Sequence, residues 1–251
     1  MNFPCRSGFN SSFYHFFEKS NDEILGELVK RQEGSVETTQ RDAWRFQIKL
    51  LKDLLSHFSR GHVLFEFIIP RIGKRVDNIL IIKNTIFVIE FKVGSEKYFN
   101  QDKMQTIDYA LDLKNFHEGS HDANIIPILV STEAPDLENI IDFEEDGVSI
   151  NCLLANSLNL KFIINSVLEK ISHDREINFM DWIKSSYLPT PTIIEASKVL
   201  YKGHNVTDIS RNEAGADNLG RTTNALNNAI DQSKREGNKS IFLLTGVPGA
   251  G

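Results

Sequence analysis

The spacing of apolar residues along the chain changes between residues 20 and 100. Residues 20–60 have the periodicity of helices, as in the segment TTQRDAWRFQIKLLKDLLSHF. Its apolar residues that recur at helical spacing are Trp44, Ile48, Leu51, Leu55 and Phe58. Three strand-like segments follow, HVLFEFIIP, RVDNILIIK and TIFVIEFKV, and the breaks between them are short enough for hairpin turns. The pattern therefore predicts a helical region followed by a three-strand meander.

The second half of the predicted domain alternates between helices and strands. NQDKMQTIDYALDLKNFH is predicted to be a helix, NIIPILVST and GVSINCLLA are predicted strands, and SLNLKFIINSVLEKIS is an amphipathic helix that closes the unit near residue 173. The predicted order is helix, meander, helix, strand, strand, helix. This order is typical of an α/β domain with a mixed central β-sheet and flanking helices.

The composition changes after this unit. The stretch SSYLPTPT is rich in Pro, Ser and Thr, which is typical of an extended linker. We predict a first domain at residues 1–180, a linker at 181–194 and the start of a second domain at 195–251. In the last of these, RTTNALNNAIDQSKREG is a predicted helix that ends at Gly237, and SIFLLT is a predicted strand.

Charge and cysteine content narrow the class of protein. The formal net charge is −6, which argues against a protein that coats nucleic acid but leaves room for a local basic face. The sequence has no apolar run long enough to span a bilayer and no signal-peptide pattern at its N-terminus. Cys5 and Cys152 stand alone, which suits a reducing compartment. We expect a cytoplasmic protein without a membrane partner.

The candidate chemistry lies in two neighbouring strands of the meander. Glu90 and Lys92 are two residues apart in VIEFK, so both side chains project from the same face of the strand. A hairpin brings Asp77, in RVDNILI, beside this pair. The sequence thus predicts two carboxylates and one ammonium group on one face of otherwise apolar strands.

Two carboxylates in a partly buried place repel each other, and a divalent cation with oxygen ligands relieves the repulsion. Mg²⁺ or Mn²⁺ can polarise a phosphoryl oxygen and activate a bound water, while a neighbouring lysine stabilises developing charge. These are the parts required for phosphodiester hydrolysis. The same pattern also occurs by chance, and a purely structural cluster at the sheet edge is the alternative.

Two further features favour the functional interpretation. Gln105 and Tyr109 are four residues apart on the next helix, whereas the main apolar stripe of that helix, Met104, Ile107 and Leu111, lies on a different side. Gln105 and Tyr109 are therefore not expected to be simple core residues. The segment PRIGKRVD also places basic residues just ahead of the aspartate, where they could meet a phosphate backbone. They are Arg71, Lys74 and Arg75.

In the order RVD, VIEFK and QTIDY, the sequence resembles the PD-(D/E)xK nuclease superfamily, and the Gln-x-x-x-Tyr resembles its RecB-like branch. The resemblance implies a restriction-endonuclease-like fold in which the acidic residues bind Mg²⁺ or Mn²⁺ and the lysine is catalytic. It also implies that the glutamine and tyrosine support the site or contact the nucleic acid. By position, these roles fall to Asp77, Glu90, Lys92, Gln105 and Tyr109.

The same resemblance implies a further carboxylate from an early helix or strand. Glu66 and Glu37 are both candidates for this additional metal ligand, and their spacing does not choose between them. The proline that the family often has before the aspartate is replaced by Val76, a departure that we do not expect to remove activity.

The last segment, SIFLLTGVPGAG, reads as a buried strand that runs into a glycine-rich loop. GVPGAG matches the first six positions of the phosphate-binding loop G-x-x-x-x-G-K-[ST], with Gly246, Gly249 and Gly251 as its glycines. The stretch from YLPTPTIIEA to this loop resembles the beginning of the helicase-like ATPase domain of bacterial proteins related to the Schlafen group, in which a PD-(D/E)xK-like domain often precedes the motor. The resemblance implies that the chain is the front part of a longer nuclease–helicase protein. ATP is then expected only in the full-length parent, with no ATP hydrolysis by this fragment.

The sequence leads to a metal-dependent deoxyribonuclease domain that acts on DNA in preference to RNA, in a protein for DNA processing, repair or defence against phage. The alternative is a catalytically inactive nucleic-acid-binding or regulatory module of the same fold. Whether the protein forms a homo-oligomer stays open. His117 and His121, in HEGSH, are expected to be exposed loop residues, because Gly119 and Ser120 interrupt the helix that a metal-binding pair would need.

Overall fold

The computed structural model describes residues 6–32, 36–69, 74–142, 147, 149, 151–171, 175–187, 213–237 and 241. The chain divides into two compact units, Met1–Tyr187 and Leu188–Gly251. In the second unit, the described secondary structure is one helix, α7 (Glu213–Glu236), which ends at Gly237 in the left-handed conformation. Among the described residues, no helix is long and apolar enough to cross a membrane.

The first unit is built on a six-stranded mixed sheet whose strands lie in chain order. The strands are β1 (Phe9–Ser12), β2 (His62–Ile69), β3 (Lys74–Ile82), β4 (Thr85–Lys92), β5 (Asn124–Ser131) and β6 (Leu153–Ala155). Strands β1 to β4 pair antiparallel, and β5 and β6 continue the sheet in parallel to β4. The parallel pairing requires a crossover between β4 and β5, and a helix provides it.

Helices cover both faces of the sheet. They are α1 (Phe13–Glu18), α2 (Asn21–Arg31), α3 (Thr38–Leu55), α4 (Asn100–Phe116), α5 (Leu160–Lys170) and α6 (Phe179–Lys184). Side chains of α1, α2, α3 and α5 share one apolar core with one sheet face, and side chains of α4 and α6 share a second core with the other face. This arrangement confirms the α/β class with a mixed central sheet and flanking helices.

The meander and the core of α3 are as predicted. The three predicted strands correspond to β2, β3 and β4, and the described turn between β3 and β4 is a tight one at Lys83 and Asn84. Trp44, Ile48 and Leu51 are fully buried. Strand β1 was not predicted, because its four residues, FNSS, show too little alternation to indicate a strand.

The predicted orientation of α4 is wrong. Met104 is 50% exposed and Leu111 is 40% exposed, whereas Tyr109 is 2% exposed and packs with Leu113 in the second core. The inner face of α4 carries polar groups in its first half, so the apolar residues do not mark the side that packs on the sheet. Tyr109 is therefore a core residue as well as a hydrogen-bonding one.

The prediction of an exposed His117 is also wrong. Its ring is fully buried, with Nδ1 2.7 Å from Ser120 Oγ and Nε2 3.0 Å from Ser185 Oγ. The indole of Trp182 packs edge-on against it, and Trp182 Nε1 donates to Ser120 Oγ at 2.9 Å. Burial lowers the pKa of His117 to about 3, so the ring is neutral.

The residues that bury His117 belong to a segment that was predicted to be a linker. The linker was expected to begin at residue 181, but residues 181–187 are part of the first unit. Trp182 is 1% exposed, and Tyr187 forms an isolated antiparallel bridge with His117. Residues 188–194, the remainder of the predicted linker, lie outside the described residues.

Candidate active site

The register of β3 and β4 brings Asp77 and Glu90 together. Asn78 pairs with Ile89, and Asp77 and Glu90 are the next residues on the two strands at this end of the ladder, close enough for the Glu90 charge to act on Asp77. The backbone N–H of Phe91 donates to Asp77 Oδ2 at 2.8 Å, which turns the aspartate carboxylate toward β4. Two acidic residues from neighbouring strands thus share one place on the sheet.

Lys92 lies between two carboxylates. Its Nζ is 3.1 Å from Glu90 Oε1 on the same strand and 3.4 Å from Asp102 Oδ1 in the first turn of α4. The Lys92 side chain keeps 30% of its surface exposed, compared with 7% for Glu90 and 12% for Asp102. The Lys92 side chain is therefore partly accessible to solvent, while its two anionic partners are largely enclosed.

Gln105 connects the carboxylate of β4 to the tyrosine of α4. Its Nε2 donates to Glu90 Oε1 at 3.0 Å and to the Tyr109 hydroxyl at 2.8 Å. Glu90 Oε1 thus accepts hydrogen bonds from both Lys92 and Gln105. The structure brings together all five residues that the sequence singled out, Asp77, Glu90, Lys92, Gln105 and Tyr109.

The electrostatics of the site follow from burial and like charge. Burial raises the pKa of Asp77 well above its usual range, and the Glu90 carboxylate raises it further. Burial also raises the pKa of Glu90, against the opposing effect of Lys92. Burial alone would lower the pKa of Lys92, but the Glu90 carboxylate and then Asp102 outweigh it, so the net shift is upward. Burial and Glu90 raise the pKa of Tyr109 to about 12. Lys92 is therefore charged and Tyr109 is protonated at neutral pH.

One carboxylate oxygen of this cluster, Glu90 Oε2, is buried and has no hydrogen-bond partner among the described residues. The backbone N–H of Asp77 is near enough to this carboxylate to lower its pKa. A buried carboxylate oxygen without a partner is costly, so a cation or an added donor would stabilise it. Hard cations such as Mg²⁺ and Mn²⁺ prefer oxygen ligands of this kind.

The residues present fit a cation that is bound mainly through waters and substrate. Within the described residues, no three His, Cys, Asp or Glu side chains form a ready metal-binding group. Mg²⁺ commonly binds through only one or two carboxylates and keeps several waters. The pair Asp77 and Glu90 supplies the two carboxylates of that smaller requirement, and Glu90 Oε2 has no other partner among the described residues.

The site opens into a cleft of about 860 Å³ between α3 and the segment that leads into α4. Asp77 and Lys92 line it, together with Gln47 on α3 and the half-exposed Phe99 just before α4. The charged side chains that line the cleft are three carboxylates and one ammonium group: Asp42, Asp77, Asp102 and Lys92. A surplus of carboxylates around a concave site attracts cations.

Glu66 lies beside Asp77 in an unusual backbone conformation. Its φ of 52° is left-handed, which is uncommon for a residue other than glycine. Phe65 packs in one core and Phe67 in the other, so the alternation of β2 shifts at this position. Such irregularities redirect a side chain near functional sites. The Glu66 carboxylate accepts a hydrogen bond from Trp44 Nε1 at 2.8 Å.

The two candidates for an additional acidic ligand differ in their surroundings. Glu66 is held by Trp44, by Gln40 Nε2 at 3.3 Å and by an ion pair with Arg75 at 4.0 Å. Glu37 is exposed and precedes α3 without making a side-chain cap. Glu66 is therefore the one of the two that the fold fixes in position, and burial raises its pKa.

The predicted basic residues ahead of Asp77 are only partly described. Lys74 and Arg75 are exposed at the start of β3, and Arg75 donates to Gln32 Oε1 at 2.6 Å. Arg71 lies outside the described residues. The loop glycines Gly246, Gly249 and Gly251 lie outside them as well.

The sequence reasoning missed Asp102, although a signal for it was present. Asp102 precedes Gln105 by three residues, and Gln105 precedes Tyr109 by four, so all three lie on one side of α4. It also missed Gln47, which is 2% exposed, lines the cleft and has a side-chain oxygen without a hydrogen-bond partner among the described residues. Gln47 was not predicted, because a glutamine inside an amphipathic helix belongs to no recognisable sequence motif.

Comparison of the chain with protein-family models, with curated proteins and with solved structures finds no match.

Proposed function

We propose that the first unit is a metal-dependent nuclease domain of restriction-endonuclease-like fold that hydrolyses phosphodiester bonds in DNA. The observation that carries the proposal is the cluster of Asp77, Glu90 and Lys92 beside a cleft that Asp77 and Lys92 line, with Glu90 Oε2 buried and without a hydrogen-bond partner among the described residues. The order of the motifs RVD, VIEFK and QTIDY supports it.

Asp77 and Glu90 are the residues that would hold Mg²⁺ or Mn²⁺. When bound, such a cation polarises a phosphoryl oxygen and activates a water. Gln105 donates to Glu90 Oε1, so the buried Oε2 is the oxygen that remains for a cation. The Phe91 N–H holds one oxygen of Asp77 and leaves the other for a ligand.

Lys92 supplies the positive charge of the site. Its ammonium group is charged at neutral pH and its partly exposed side chain lines the cleft, so it can donate to an attacking water or to a phosphate oxygen. Donors placed where negative charge develops lower the barrier most when they are already positioned. Tyr109 stays protonated and serves as a hydrogen-bond partner of Gln105 rather than as a base.

The proposal is tested by incubating plasmid and single-stranded DNA with the protein and Mg²⁺ or Mn²⁺. Lys92→Ala and Asp77→Ala are each expected to lower cleavage by about 100-fold or more. Lys161→Ala is the matched control, because Lys161 is exposed on α5 and does not line the cleft. Cleavage that is unchanged in both site variants would refute the assignment, and an RNA substrate in the same assay tests the preference for DNA.

A second candidate is a non-catalytic module that binds nucleic acid with the same fold. The observation that favours it is that Glu90 Oε1 is already bound by Lys92 and Gln105, as in a structural ion-pair network. This module would bind nucleic acid with an affinity that falls with salt, and it would not cleave. Salt-dependent binding without any cleavage would favour it.

We extend the proposal to the parent protein on the resemblance of the C-terminal segment alone. In this parent protein, the nuclease domain precedes an ATP-driven helicase motor. The parent protein is proposed to function in the cytoplasm, in DNA processing, repair or phage defence. The observation behind this extension is that GVPGAG follows the apolar segment SIFLLT, as a phosphate-binding loop follows its strand. A full-length protein that binds no ATP would contradict the extension.

A further inference from the structure

Asp102 contributes a second anion to the lysine of the site. Its Oδ1 is 3.4 Å from Lys92 Nζ, and the Asp102 residue is 8% exposed. The backbone of Asp102 is fixed within α4, since its N–H donates to Phe99 O and its carbonyl accepts from Thr106 Oγ1 at 2.7 Å. The carboxylate is thus presented to Lys92 from a rigid helix rather than from a loop.

Without Asp102, Glu90 would be the one carboxylate within 4.0 Å of the ammonium group among the described residues, with Asp77 acting from farther away. In the proposed function, Glu90 must also bind a divalent cation, so Lys92 and the cation would compete for one carboxylate. A divalent cation at Glu90 also repels the ammonium group. The second carboxylate compensates for both effects, because it keeps Lys92 close to the reacting centre when Glu90 turns to the cation.

We infer that Asp102 is a positioning residue that retains Lys92 when Glu90 binds the metal ion. The inference rests on the proposed function, and it assigns a role to a residue that lies outside the Asp, Glu-x-Lys and Gln-x-x-x-Tyr motifs. Asp102 acts through Lys92, so the effect of removing it should disappear when Lys92 is absent.

The first test is a double-mutant cycle of cleavage rates at saturating Mn²⁺. Asp102→Asn is expected to lower kcat by about 10- to 100-fold, as is usual for residues that orient a metal site. In a Lys92→Met background, the same substitution is expected to change the residual rate by less than about twofold, because coupled residues are not additive. Asp108→Asn, on the exposed side of the same helix, is the control. An equal loss in both backgrounds would overturn the inference while leaving the nuclease assignment in place.

The second test does not require cleavage. Acetylation of lysines by acetic anhydride, quantified by mass spectrometry, reports how firmly the Lys92 ammonium group is held, with the exposed Lys161 as internal reference. With Mn²⁺ present, Asp102→Asn is expected to accelerate labelling of Lys92 by about two- to fivefold, the range that corresponds to one partly exposed ion pair. In the unsubstituted protein, Mn²⁺ is expected to leave the labelling rate of Lys92 nearly unchanged.

The outcomes of the two tests separate the two proposals. If Lys92 is acetylated at the expected rates but the protein does not cleave DNA, the role of Asp102 is supported and the nuclease assignment is refuted. Labelling of Lys92 that is the same with and without Asp102 overturns the inference. Asp102→Ser, which also suits the first turn of a helix, replaces the asparagine variant if urea unfolding shows that the latter is not folded.

Discussion

Replacing Asp77 with asparagine should stabilise the metal-free protein and abolish its stabilisation by metal. The substitution keeps the shape of the side chain and its ability to accept from the Phe91 N–H, but it removes one of two adjacent negative charges. The new amide nitrogen can also donate to Glu90. The variant therefore isolates the charge of Asp77 from its packing.

The size of the effect follows from the geometry of the sheet. Side chains directly opposite on antiparallel strands have Cβ atoms about 5 Å apart. Two unit charges at about that distance repel by roughly 3 kcal/mol at an effective dielectric constant of about 20. Lys92, 3.1 Å from Glu90, cancels part of this repulsion. We expect the free energy of unfolding to rise by about 1–2 kcal/mol at pH 8 in EDTA.

The pH dependence of stability shows the direction in which Asp77→Asn changes the free energy of unfolding. The pKa of Asp77 is raised in the folded state, so between its unfolded and folded values the native protein keeps a proton that the unfolded chain has lost. Stability in this window falls as pH rises, because the unfolded state binds fewer protons. The gain from Asp77→Asn should therefore grow from about pH 4 upward and vanish below it.

The assay is urea unfolding followed by the fluorescence of Trp44 and Trp182, which are both 1% exposed. Asp108→Asn serves as the control, since a substitution at an exposed position is expected to change stability by less than about 0.5 kcal/mol. The dependence on urea concentration should be unchanged, so that a shifted midpoint reports stability.

The metal arm of the experiment uses the same unfolding curves. Mn²⁺ at about 100 times its dissociation constant should add about 2.7 kcal/mol to the unsubstituted protein and little to Asp77→Asn. A variant that is less stable than the unsubstituted protein in EDTA at pH 8 would refute the electrostatic reasoning. Equal stabilisation of both proteins by Mn²⁺ would refute the role of Asp77 in binding the metal.

Three further predictions follow from other parts of the site and the fold. Tyr109→Phe removes one hydrogen bond from Gln105 but keeps the packing, so the cleavage rate should fall by less than about tenfold. A loss as large as that of Lys92→Ala would contradict this and show that the hydroxyl contacts the substrate. Glu66→Ala should destabilise the fold by about 1–3 kcal/mol, measured by urea unfolding, because it leaves the Trp44 indole N–H without its acceptor and keeps the left-handed φ of 52°. His117 has a folded-state pKa of about 3, so its contribution to stability is present above pH 6.5 and is lost on acidification by about 1.4 kcal/mol per pH unit. His117→Gln should remove that slope from unfolding midpoints measured between pH 6 and 4, and an unchanged slope would contradict the burial argument.

The sequence by itself determined the part of the site that lies within one hairpin. Side chains of a strand alternate with a period of two that the backbone imposes, so the spacing of Glu90 and Lys92 was sufficient to place them on one face. The short turn after β3 set the register and brought Asp77 beside them. Strand alternation also located the meander, and the helical period located the crossover helix α4 and the buried positions of α3.

Only the tertiary structure decided which side of α4 meets the sheet. A helix has many possible faces, and its orientation depends on partners that are distant in sequence, so Met104 and Leu111 are exposed although they form the apolar stripe. The contact of Asp102 with Lys92 follows from that orientation. His117 is buried for a similar reason, because residues 182–187 fold back over it from a segment whose composition is typical of a linker. Contacts of this kind depend on non-local packing, whereas the alternation of a strand is a property of its own backbone.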